Sequence, residues 1–163
     1  MLHIRSATLN DLPYINDIYN DAILNTTATF HTEARTIENN TDWLMERDND
    51  HPVLIAEMND IVVGFAALNK WSDRSAYDIT AEMALYIDKK YRGKGIGQQL
   101  LAQILALATE TNLVSIIARI TEGNEHSIYL HKQQNFEVMG TMKKAGLKFG
   151  KLLDVTFLQK MLK

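Results

Sequence analysis

The chain predicts one α/β domain, a mixed β-sheet with helices packed on its faces. Three observations predict it. Two β-rich runs, residues 53–57 and 61–68, flank Asn59-Asp60, a residue pair suited to a tight hairpin turn. A third strand-like run, residues 79–87, hands over through a glycine-rich segment to a stretch with apolar residues at Ile96, Leu100, Leu101, Ile104, Leu105, Leu107 and Ala108, the 3.6-residue period of a helix. A further β-rich run at 115–120, a helix over about 124–134 and two strands near 137–142 and 154–159 complete the pattern.

The N-terminal elements follow the same logic. Residues 3–6 read as a short strand. Asn10 is positioned to cap the next helix, with Pro13 in its first turn, where a missing N–H costs nothing. Leu12, Ile15, Ile18, Tyr19 and Ala22 form its apolar face. Residues 38–48 make a second, weaker helix with Trp43 and Leu44 turned inward. No repeat, low-complexity tract or linker interrupts the chain, so residues 1–163 are expected to form a single domain.

Composition narrows the function. At 163 residues, 46% hydrophobic and 23% charged, this is an ordinary globule, long enough to bury about two-thirds of its unfolded surface. The absence of cysteine excludes disulfides, thiolate metal sites and a cysteine nucleophile, and fits a reducing cytoplasm. No metal is expected. The N-terminus lacks a signal-peptide core and no apolar run is long enough to cross a bilayer, so no membrane partner is expected. A net charge of −3 argues against nucleic acid as a general partner.

The chemistry concentrates at Arg92-Gly93-Lys94-Gly95-Ile96-Gly97. Glycines where a strand meets a helix N-terminus let a ligand approach the backbone, and the first N–H groups of a helix have no internal partner. Such a junction suits a pyrophosphate; the plainer alternative is a flexible turn. The Walker pattern is absent. The dinucleotide fingerprint fails because its third glycine position falls on Gln98.

Strand alternation puts Thr80, Glu82, Ala84 and Tyr86 on one face of the 79–87 strand. A glutamate within an apolar strand is costly to bury alone, which suits a general base; the alternative is an exposed edge residue. Asn124, Ser127, Ile128 and His131 share one helical face, which reads either as solvated or as functional. The loop Trp71-Ser72-Asp73-Arg74-Ser75-Ala76-Tyr77 carries one guanidinium suited to a carboxylate or phosphinate.

The spacing Arg92-x-x-Gly95-x-Gly97 resembles the acyl-CoA loop of the GNAT superfamily of N-acetyltransferases. Ile4-Arg5-Ser6-Ala7-Thr8 looks like that family's first strand, and Asn25-Thr26-Thr27-Ala28-Thr29-Phe30, Pro52-Val53-Leu54-Ile55-Ala56-Glu57, Val63-Gly64-Phe65-Ala66 and Lys148-Phe149-Gly150-Lys151 with Leu153-Asp154 are similar to one subgroup, the phosphinothricin and methionine sulfone/sulfoximine acetyltransferases. The resemblance covers nearly the whole chain. It implies a mostly antiparallel sheet with about four helices, and acetyl-CoA as cofactor. The pyrophosphate would lie on Arg92, Gly93, Lys94, Gly95, Ile96, Gly97 and Gln98. Backbone groups of Leu85, Tyr86 and Ile87 would polarise the thioester, and Asn124 and Ser127 would line the cofactor side.

The same resemblance makes Glu82 the base and His131, standing where the wider family has tyrosine, the donor of a proton to the thiolate. Asn135 replaces a glycine of the family pattern, and asparagine tolerates the left-handed conformation needed there. Phe30, Arg74, Ser75, Ala76 and Tyr77 would contact an amino-acid-like substrate, and the subgroup implies a homodimer. The implied activity is transfer of acetyl to the α-amine of a small amino-acid analogue. Acetylation of a protein N-terminus or lysine, and non-catalytic acyl-CoA sensing, are the alternatives.

Overall fold

The computed structural model describes residues 1–163. Strands β1 (Leu2–Ser6), β2 (Val53–Met58), β3 (Ile61–Lys70), β4 (Thr80–Ile87), β5 (Ser115–Thr121), β6 (Glu137–Lys148) and β7 (Lys151–Met161) form one sheet in the order β1-β2-β3-β4-β5-β7-β6. Only β4 and β5 run parallel; every other neighbouring pair is antiparallel. The sheet is therefore mixed and mostly antiparallel, as the sequence implied.

Helices α1 (Leu12–Asn25) and α2 (Ile37–Met45) cover one face, and α3 (Ile96–Ala108) covers the other with α4 (Glu125–Gln133) beside it. The apolar period of α3 buries Ile96, Leu100, Leu101 and Ile104 against Leu54, Val63, Leu68 and Ala81 in the main core. A smaller cluster joins Ile15 and Ile18 of α1 to Ile55, Val62 and Phe65.

Turn chemistry accounts for the two hairpins. Asn59 and Asp60 take φ of 53° and 65°, both left-handed, which matches the twist of the strands they join. The C-terminal hairpin is longer than its sequence suggests: β6 continues to Lys148, and the turn is Phe149-Gly150 at φ of 52° and 73°. A left-handed phenylalanine is not a turn signal the sequence offers.

Asn10 does not cap α1. The helix is preceded by a 3-10 turn, Leu9–Asp11, and the buried Asp11 carboxylate accepts the Thr8 N–H at 2.7 Å. The Arg5 guanidinium holds Asp11 through both oxygens at 2.8 and 2.9 Å and reaches Glu57 at 3.2 Å, tying the start of α1 to β1 and β2.

Pairing between β4 and β5 positions the site. It covers Thr80/Ser115, Ala81/Ile116 and Glu82/Ile117 and stops there, although β4 stays paired to β3 as far as Ile87, and β5 to β7 as far as Thr121. The sheet thus splays open beyond Glu82. The Asp88 N–H bonds the Val63 carbonyl. Antiparallel alternation then points the N–H groups of Met83, Leu85 and Ile87 towards β5. Those of Leu85 and Ile87 lie past the last paired residue.

Candidate active site

The glycine-rich segment lies at the open end of that split. Gly93 and Gly95 both have φ of 78°, and Gly95 is the left-handed N-cap of α3. No acidic residue occupies the first turn of α3 and no side chain caps it, so its leading N–H groups remain free for an anion. Arg92, exposed, donates from Nε to the Ile87 carbonyl at 3.3 Å, joining the loop to the end of β4. Lys94 lies over the Tyr91 ring. Gly97 faces inward, where an added Cβ would sit 3.5 to 3.9 Å from Leu130, Ile87 and Leu85. Free amides at the helix start, free amides on β4 and flanking cations together fit a long anionic thioester such as acetyl-CoA.

Leu85 and Ile87 turn their side chains into the main core, leaving only backbone for a ligand. Tyr86 points the other way. Its ring packs against Tyr19 and Phe65 at 5.0 and 5.5 Å, and burial pushes its phenol far above the usual range.

Glu82 shares that face with Tyr86 and Ala84, but it is not the isolated carboxylate the sequence suggested. Arg119 of β5 grips both its oxygens, Nε to Oε2 at 2.5 Å and Nη2 to Oε1 at 2.6 Å. This bond raises the Arg119 pKa further above its already high value, and the guanidinium also lies 5.3 Å from the centre of the Trp71 ring. The sequence signal was a single arginine in the run Ser115-Ile116-Ile117-Ala118-Arg119-Ile120; only the β4–β5 register gives it a partner.

His131 is 3% exposed. Its Nδ1 lies 2.7 Å from the Ser127 carbonyl and so carries the proton, and its ring meets Phe136 edge-on. The Nε2 atom is buried without a partner, and burial lowers the pKa, which favours the neutral imidazole. A neutral ring whose one N–H is already engaged is poorly prepared to act as an acid. Ser127 contributes its carbonyl to this contact. Asn124 stands at the N-cap position of α4 without capping it through its side chain, and directs its Nδ2 back to the Thr121 carbonyl at 2.9 Å and to Thr27 at 3.3 Å. After α4, Asn135 takes φ of 66°, the left-handed conformation expected of it.

On the Glu82 face of the sheet lies a cavity of about 530 Å³, walled by Tyr19, Trp43, Phe65 and Tyr86 and carrying the cations Arg35 and Arg47. None of the predicted substrate residues, Phe30, Arg74, Ser75, Ala76 and Tyr77, is among its lining. Arg74 is exposed with no side-chain partner, and Ser75, Ala76 and Tyr77 form an exposed 3-10 turn. From that loop and its approach only Lys70 and Asp73 line the cavity. Phe30 packs instead on β6, so close to Gly146 that an added Cβ there would collide with its ring. Two residues the sequence reading missed, Arg35 and Arg47, bring guanidinium groups to the cavity, alongside Lys70 and the carboxylates Glu46 and Asp73. Both sit in segments whose sequence shows neither strand alternation nor a strong helical period.

Residues 4–157 match the Acetyltransferase (GNAT) domain family. The L-methionine sulfoximine/L-methionine sulfone acetyltransferase of Pseudomonas aeruginosa is 38% identical over 96% of this chain and 92% of its own. A GNAT phosphinothricin acetyltransferase from Sinorhizobium meliloti, solved in complex with acetyl-CoA, superposes with a TM-score of 0.93 at 31% identity, covering 98% of this chain and 88% of that one. A structure described as a ribosomal-protein-alanine N-acetyltransferase from Brucella melitensis gives 0.94 at 41% identity, covering 98% and 99%. With the family match spanning nearly the full length, and a splayed sheet ending at a free helix N-terminus, the chain belongs to the GNAT family of acetyl-CoA-dependent acetyltransferases.

Proposed function

We propose that this enzyme acetylates the α-amine of a small amino-acid analogue of the methionine sulfone or sulfoximine type. The observation that carries the reading is the cavity: four aromatic rings and two guanidinium groups on the sheet face that carries Glu82, with Asn69 of the lining opposite it in register, suit a compact molecule with an apolar stem and an acidic group. The resemblance to the Pseudomonas enzyme supports it independently. Acetyl-CoA supplies the activated acetyl group. Glu82 takes the ammonium proton through water, with Arg119 fixing the carboxylate's orientation. The free N–H groups of Leu85 and Ile87 donate to the carbonyl oxygen under attack, and the amides following Gly95 hold the pyrophosphate. His131 is read as a residue that positions α4.

The likeness to the Brucella structure favours a second reading, acetylation of a protein N-terminus. A thioester-consumption screen separates the two. The expected result is turnover of methionine sulfone and sulfoximine, weaker turnover of phosphinothricin, and none of peptides beginning with alanine. Peptide turnover without any free amino-acid turnover would reverse the assignment.

The same reading includes a homodimer acting in the cytoplasm. Val138, Met139, Met142, Leu147, Phe149 and Leu152 are large apolar side chains exposed along the C-terminal hairpin, whose β6 is an edge strand. Such a surface calls for a partner. Sedimentation equilibrium should give twice the 18.5 kDa chain mass, and Met142→Lys with Leu152→Lys should return it to monomer. A wild-type monomer at micromolar concentration would refute the dimer.

A further inference from the structure

We propose that Arg47 binds the substrate's α-carboxylate, an inference that rests on the amino-acid reading above. Arg47 follows α2, and its guanidinium lies 4.5 Å from the centre of the Trp43 ring. Nη2 donates to Asn69 Oδ1 at 2.6 Å, whereas Nε is buried with no partner. No carboxylate forms an ion pair with it. Asp48, next in sequence, is engaged by His51 at 2.6 Å, and Glu46 and Asp73 line the cavity without pairing to Arg47. Burial pushes its pKa down to about 10. Arg5 and Arg119, by contrast, each hold a carboxylate. Arg47 lines the cavity with its Nη1 unpartnered and not buried, and a partly desolvated cation with a donor to spare is prepared for an anion.

The position of Arg47 says which anion. Asn69, which it touches, stands directly opposite Glu82 in the β3–β4 register, so the two side chains share one sheet face. Arg47 therefore reaches the cavity one side chain beyond Glu82. In an α-amino acid the carboxylate is attached to the carbon bearing the amine. An amine presented to Glu82 thus carries its carboxylate into the neighbouring space, within reach of the Arg47 Nη1 group, which has no partner and is not buried. Arg35, the other guanidinium of the cavity, already uses its Nε on Asn40 Oδ1 at 3.2 Å.

The test compares L-methionine sulfone, whose only acid is the α-carboxylate, with its neutral carboxamide. Arg47→Met removes the charge and keeps an unbranched stem over Trp43; Arg47→Lys keeps the charge and loses the fork. Turnover and calorimetric affinity of the protein for each compound are measured. Arg47→Met should weaken the acid ~10–100-fold in KM and in Kd, with kcat little altered and the carboxamide unaffected. Should Arg47→Met fail to fold, Arg47→Lys carries the test, weakening the acid while sparing the carboxamide. Equal effects on both compounds, or none on either, overturn the role of Arg47 while leaving the substrate reading intact. If the wild type acetylates neither compound, the substrate reading falls, and the carboxylate site with it.

Discussion

Replacing Glu82 by glutamine should lower kcat by ~10²–10⁴ and leave acetyl-CoA affinity within a few-fold of wild type. The change is isosteric, but it removes the one carboxylate on the cavity face of β4 and thus the only acceptor there for the ammonium proton. It also turns an amide N–H₂ towards the Arg119 guanidinium, where two donors oppose each other in place of the paired contacts at 2.5 and 2.6 Å. Arg119→Met isolates that second effect. It frees the carboxylate without deleting it, so its loss should be much smaller if Glu82 is the base. Steady-state kinetics with calorimetry of acetyl-CoA binding settles the matter, and near-normal turnover of Glu82→Gln at neutral pH would make the residue structural.

The second large effect is expected at Gly95. Its φ of 78° is closed to a β-branched residue, although nothing lies within 4 Å of an added Cβ. The penalty of Gly95→Val is therefore backbone strain of ~1–3 kcal/mol, concentrated where α3 begins. The first turn should relax into another conformation and lose the alignment of its free amides. The core contacts of Leu100, Leu101 and Ile104 lie further along α3 and should persist. Acetyl-CoA binding should fall below detection while the circular dichroism spectrum stays native. Unchanged affinity would show that the pyrophosphate binds elsewhere.

Local signals in the chain carried much of the fold. Asn59-Asp60 marked its hairpin because both residues tolerate left-handed backbone, and the period of α3 announced its buried face. Alternation along β4 correctly separated Glu82 and Tyr86 from Leu85 and Ile87. What stayed hidden depends on register between distant segments. Arg119 meets Glu82 only because β5 lies parallel to β4, and Arg47 meets Asn69 only because the end of α2 folds over β3. Phe30 finds Gly146 across more than a hundred residues. The exposed loop around Arg74 drew attention through its composition, but composition alone does not say which way a loop turns.

The splaying of β4 from β5 has a consequence for how the enzyme holds together. Four neighbouring strands lie on one side of the split and three on the other, and three residue pairs join them. The Glu82–Arg119 bond bridges the two halves at the last of those pairs. The free protein therefore forgoes ladder hydrogen bonds, each worth ~0.5–1.5 kcal/mol, where a continuous sheet would be strongest. A ligand accepting from the Leu85 and Ile87 amides restores part of that loss. Stability and occupancy are linked accordingly: the unloaded enzyme is the looser one, and its weakest seam runs through the residue that begins the chemistry.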